Sequence, residues 1–172
     1  SGTSVVTFLN AASARNLGVE LELRKRLGFL ANGLETITVF SNVTLMDSEI
    51  SIRRSGSSQT RGRRAMVGQA PWVVNSGITW APEWGGSSAT LLYNVVGERI
   101  LNAGEVPLPD VVESPRHVLD LSLRTALMQN VALKLDAKNL LDSQHEYVQG
   151  DVVRESYRTG RSISFGVSWQ QQ

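Results

Sequence analysis

The sequence predicts an all-β fold, an antiparallel up-and-down meander of about eight strands, on three observations. Apolar and polar side chains alternate two by two in stretch after stretch, no stretch holds a helical period, and the connections alternate short and long. Successive side chains of a strand point to opposite faces, so each alternating stretch has one apolar and one polar face.

Residues 4–10, "SVVTFLN", give the first strand. Residues 17–27 set Val19, Leu21 and Leu23 against Glu20, Glu22, Arg24 and Arg26. In residues 35–47, Ile37, Val39, Val43 and Leu45 oppose Thr36, Thr38, Asn42 and Thr44. Residues 71–82 and 88–100 alternate less cleanly. Residues 117–127 place Leu119, Leu121 and Leu123 against Asp120, Ser122 and Arg124. Residues 130–142 place Val131, Leu133, Leu135 and Ala137 against Lys134, Asp136 and Lys138. The last strand, 161–169, is the most regular: Ile163, Phe165, Val167 and Trp169 alternate with Ser162, Ser164, Gly166 and Ser168.

The connections separate into two kinds. Segments 28–33, 83–87 and 128–130 are short, whereas 48–70, 101–116 and 143–160 are long. Outer-membrane barrels have short periplasmic turns and longer extracellular loops. On that topology Trp80, Trp84 and Trp169 fall at the short-turn end and Trp72 at the other, as expected of interfacial aromatic residues.

Composition sets limits. The chain has 172 residues, is 41% hydrophobic and 19% charged, and has a mean hydropathy of −0.11. No run approaches the ~20 apolar residues of a membrane helix, which leaves a membrane barrel open because alternation hides its lipid-facing residues. A net charge of +1 gives no bulk attraction to nucleic acid. With no cysteine there is neither a disulfide nor a thiolate metal site. By alternation alone, the charged faces line a polar barrel interior or form the solvated side of a soluble β-sandwich.

Little points to chemistry. His117 and His145 lack metal-ligand spacing, and His145 reads as a surface loop residue. No phosphate-binding glycine motif or catalytic arrangement is present, so the chain is read as a non-enzyme without cofactor or metal. The "NVT" at 42–44 matches a glycosylation acceptor but lies inside a strand. In "RRSGSSQTRGRR", Arg53, Arg54, Arg61, Arg63 and Arg64 form either a solvated loop or a contact for anions such as lipopolysaccharide phosphates or an anionic metal–siderophore complex.

Several stretches together resemble TonB-dependent outer-membrane receptors: "NAASARNLGVELELRKRL", "VGQAPWVVNSGITW", the pair "HVLDLSLR" and "VALKLDAKNLLD", and "YRTGRSISFGVSWQ". The resemblance covers nearly the whole chain and implies that residues 1–172 are the C-terminal barrel segment, the last eight of about 22 transmembrane strands around a plug. The family's plug, its coupling segment and its earlier strands have no counterpart in these residues, and three glutamines follow Trp169 where the family commonly ends on an aromatic residue. The implied function of the complete receptor is uptake of a scarce nutrient, a siderophore or similar, across the bacterial outer membrane. The implied partners are the lipid bilayer, lipopolysaccharide, the missing barrel strands or other chains, and the barrel-assembly machinery. Ile163, Phe165, Gly166, Val167 and Trp169 would carry the assembly signal. Two alternatives stay open: a small outer-membrane scaffold barrel without transport, and a soluble β-sandwich binding module.

Overall fold

The computed structural model describes residues 11–51, 62–83 and 86–169. The expected strand at 4–10, Arg53, Arg54, Arg61 and Trp84 lie outside them. In chain order the strands are β1 (Ser13–Arg26), β2 (Ile37–Ser51), β3 (Arg63–Arg64), β4 (Trp72–Trp80), β5 (Ser88–Val96) and β6 (Arg99–Asn102). They continue with β7 (Val111–Glu113), β8 (Arg116–Met128), β9 (Val131–Lys138), β10 (Gln144–Gln149), β11 (Val152–Arg158) and β12 (Ser162–Trp169).

The main sheet runs β1-β2-β4-β5-β8-β9-β12, every neighbour antiparallel, with the short β3 attached to β2. This is the meander that alternation and turn spacing predict. Because neighbours are antiparallel, the turns after β1, β4 and β8 lie at one end of the sheet, and the long connections after β2, β5 and β9 lie at the other. Among the described residues the sheet is open: nothing pairs with the outer edge of β1 or of β12.

Three expectations need correction. The stretch 88–100, read as one strand, breaks between β5 and β6. Gly97 marks the bend, where an added Cβ would lie 2.8 Å from the Trp72 indole, so only glycine admits that ring. Pro115, which has no N–H for a ladder, marks the matching break between β7 and β8. The long connections 101–116 and 143–160, read as loops, instead supply most of a second sheet ordered β11-β10-β7-β6. Its strands are three to seven residues long. So short an alternation, set beside Pro107, Pro109 and Gly150, does not stand out from loop sequence. His145 therefore lies in β10, largely buried with 14% of its side chain exposed, and is not a surface loop residue.

Ala70, Val95 and Ala137 are the buried hydrophobic residues among those described, and no large side chain is fully enclosed. The apolar side chains of the main sheet lie mainly on one of its two faces.

Candidate functional site

Residues opposed in an antiparallel ladder share a face, so the register assigns each side chain of the main sheet. One face starts on β1 with Leu17, Val19, Leu21 and Leu23, then takes Val39, Val43 and Leu45 of β2 and Val74 and Ile78 of β4. It continues through Leu91 and Val95 of β5 and Leu119, Leu121 and Leu123 of β8. Leu133, Leu135 and Ala137 of β9 and then Ile163, Phe165, Val167 and Trp169 of β12 complete it. The ladders keep phase across all these strands, with one irregularity at Ala126–Met128 beside a turn. This face is most exposed on the edge strands, where Leu21 keeps 61% of its surface, Phe165 65% and Ile163 73%; in the middle of the sheet Leu91 and Leu123 keep 37%, and Val95 and Ala137 are buried.

Polar residues that interrupt the apolar face satisfy each other. Ser41 and Ser76 share a hydrogen bond of 2.7 Å between β2 and β4, and Tyr93 meets His117 Nδ1 at 2.5 Å between β5 and β8. A polar group among apolar side chains is costly when left unpaired away from water, and these groups pair with each other.

The opposite face is polar and cross-linked. Asn42 donates to Glu20 (2.5 Å), Asn94 to Asn75 (2.6 Å) and Ser122 to Asp136 (2.8 Å). Lys134 lies 2.9 Å from Asp136. Phe40 and Leu92, with Val73, Val96 and Val118 nearer the long-connection end, are apolar residues on this face, and Phe40 has a local reason. Its ring covers Gly77, where a Cβ would come within 2.4 Å of it, and the Arg24 guanidinium sits 5.8 Å from its centroid.

The described tryptophans fall on the apolar face: Trp72 opposite Leu45, Trp80 opposite Ile37 and Ala89, and Trp169 opposite Val131. Trp72 and Trp80 cap the two ends of the nine-residue β4. Eight steps of ~3.4 Å put them ~27 Å apart along the strand.

At the long-connection end, the second sheet, β2 and the segment before β4 line an open cavity of about 650 Å³. Ile100, Val112 and Val148 form an apolar wall, and Ser48, Gln69 and Asp110 give it polar groups. Arg64, an anion-contact candidate, has only 4% of its side chain exposed and lies 3.3 Å from Asp110, which also accepts a bond from the Gly104 N–H at 2.7 Å. Its charge is met by a carboxylate of its own chain. Arg63 is exposed, 3.7 Å from Glu49. In the second sheet Arg99 grips Glu113 at 2.7 Å, and the Tyr147 and Tyr157 hydroxyls meet at 3.3 Å. That hydrogen bond, then burial, then the negative charge of Glu113 push the Tyr147 hydroxyl up to about 12. Sequence reasoning missed Arg99, Glu113, Asp110 and Tyr147. The one available signal was the alternation of His145, Tyr147 and Gln149 against Glu146 and Val148.

The Asn-Leu-Leu-Asp stretch after β9 forms a clasp. Asn139 has a φ of 55°, in the left-handed region that asparagine tolerates, and is buried. Its N–H donates to Asp120 of β8 (2.8 Å), its side-chain amide donates to the Gly160 carbonyl before β12 (2.7 Å), and its side-chain oxygen accepts from the Ser143 N–H (3.0 Å). One residue thus ties the start of β8 and the exit of β9 to the entry of β12. Asn139→Asp sets a carboxylate against the Gly160 carbonyl and is expected to cost about 1–3 kcal/mol. Asn139→Gly keeps the backbone conformation but loses the side-chain bonds and should cost less. Urea unfolding of the two variants checks that order.

Comparison with family models, curated proteins and solved structures gives no match for this chain.

Proposed function

We propose that this chain is a wall segment of a bacterial outer-membrane β-barrel that takes part in nutrient uptake in the manner of TonB-dependent receptors. The observation that carries the reading is the apolar face: it continues in register over the strands of the main sheet, with its few polar interruptions paired to one another, is most exposed on the edge strands, and backs a largely polar, hydrogen-bonded face. Lipid is the solvent that suits the first face, and a polar lumen suits the second. The second sheet does not cover the apolar face, which weighs against a soluble sandwich, whose two sheets pack their apolar faces together. The elaborated end, with its cavity and the exposed Arg63, is the extracellular side and the place for ligand or lipopolysaccharide contact. The short turns are periplasmic.

Because the chain has no cysteine, single substitutions report topology cleanly. Asp151→Cys, at the β10–β11 turn, should react with a membrane-impermeant maleimide on intact cells. Gln129→Cys, at the β8–β9 turn, should react only after the outer membrane is permeabilised. Equal labelling of both on intact cells would contradict the assignment.

A further inference from the structure

One face of the second sheet carries a cluster that a barrel wall does not use. The register sets Arg99, Glu113, Tyr147 and Glu155 in a row across β6, β7, β10 and β11. His145 and Tyr157 face each other two residues further along, on the same side. Glu113 is buried at the centre. One of its oxygens takes Arg99 at 2.7 Å, and the other lies 3.6 Å from His145 Nδ1. That distance is too long for a hydrogen bond. The Nδ1 atom is buried and has no hydrogen-bond partner, while its ring stacks on Tyr157 with centroids 4.7 Å apart and planes 8° from parallel.

These groups sit on a thin seam. The β10–β11 hairpin joins β7 through the pairs Tyr147–Glu113, Val148–Val112 and Gln149–Val111. Flanking bonds run from the Ser114 N–H to the Glu146 carbonyl (2.9 Å) and from the Gln149 side chain to the Pro109 carbonyl (2.8 Å). Val112 and Val148, opposed across the seam, line the 650 Å³ cavity.

We propose that His145 and Glu113 form a proton-operated latch that tightens this seam and so controls access to the cavity. A neutral ring protonated on Nε2 leaves a buried nitrogen unpaired beside a carboxylate, and one protonated on Nδ1 offers it only a neutral donor. A protonated ring turns Nδ1 into a charged donor, and a short shift brings it onto the free Glu113 oxygen, linking Arg99, Glu113 and His145 across β6, β7 and β10. The other groups around the ring divide. The Tyr157 face attracts a cation, Glu155 of β11 adds negative charge, and Arg99 opposes it. Tyr147 stays a neutral phenol. On β10 itself Glu146 is turned to Ser114, and at the hairpin's foot Arg158 and Asp142 hold each other at 3.5 Å. Acid that charges the ring closes the latch, and loss of that proton loosens it. None of this depends on which solvent covers the main sheet.

The test is amide hydrogen exchange of the folded full chain, expressed as protection over the intrinsic rate at each pH. Protection of residues 111–113 and 147–149 should fall about ten-fold from pH 5 to pH 8, while the β8–β9 ladder stays unchanged. His145→Phe keeps the stacking on Tyr157 and should remove the pH dependence. Glu113→Gln should remove it as well, and should also shift the titration of the His145 ring followed by NMR to lower pH. A seam whose protection does not change with pH, or a pH dependence that survives in His145→Phe, would overturn the latch. An unchanged His145 titration in Glu113→Gln would overturn the pairing itself.

Discussion

Leu135→Arg is expected to destabilise the membrane-inserted protein by about 2–4 kcal/mol, and Val131→Arg on the same strand by only ~0–1 kcal/mol, because the cost of a lipid-facing arginine falls from the bilayer midplane to the interface. The assignment rests on register. Leu135 is opposed by Leu123 on one side and Phe165 on the other, in the middle of the apolar face. Val131 is opposed by Trp169 and lies beside the β8–β9 turn, at the short-turn end. Lys134→Leu tests the other face. Lys134 meets Asp136 at 2.9 Å and is opposed by Arg124 and Gly166. Its loss leaves Asp136 with the Ser122 hydrogen bond, so a cost below that of Leu135→Arg is expected. Reversible urea unfolding in lipid vesicles measures all three. A Lys134→Leu penalty larger than that of Leu135→Arg would mean that the facing is inverted. Equal penalties for Leu135→Arg and Val131→Arg would mean that no depth gradient exists and that the apolar face meets something other than a bilayer.

The part of the fold legible in the sequence is the part that alternation controls. In β9 and β12 every apolar residue of the alternating set lands on one face, since a strand has only two faces and a one-residue slip would invert both. The bend at Gly97 was not legible, because its reason is the Trp72 ring approaching from another strand. Nor was the second sheet: β7 is three residues long, and its partner β10 lies more than thirty positions away in sequence. The arginine-rich stretch shows the same limit. Composition marks Arg64 as a solvated cation, and only the fold reveals that Asp110 comes to meet it. Local pattern thus specifies strands and faces, while long-range partners decide which charges remain free.

Cysteine pairs joining β12 directly to β1 are expected to give no disulfide, whereas many strand pairs inside the sheet would. The reason is parity. In the order β1-β2-β4-β5-β8-β9-β12 every neighbour is antiparallel, so the two edge strands run in the same direction. An up-and-down barrel closes antiparallel and therefore needs an odd number of further strands between β12 and β1. A second copy of this sheet placed edge to edge, β12 against β1, fails by the same rule. One strand would suffice in a small scaffold barrel, and residues 4–10, read from their sequence as a strand, could supply it. The larger receptor-like barrel would take its strands from outside residues 1–172. Open edges in lipid leave N–H and C=O groups unpaired at several kcal/mol each, so one of these closures is required of a membrane-inserted sheet. Disulfides form only when Cα atoms come within ~7 Å, so they discriminate well. Phe165→Cys combined with Leu21→Cys should stay reduced under mild oxidation in the membrane. Efficient crosslinking there would reveal a parallel closure and remove the barrel reading. Phe165→Cys combined with Val6→Cys is also expected to stay reduced, in keeping with the larger barrel. An efficient crosslink of that second pair within one monomer would instead establish the eight-stranded scaffold and exclude a receptor wall.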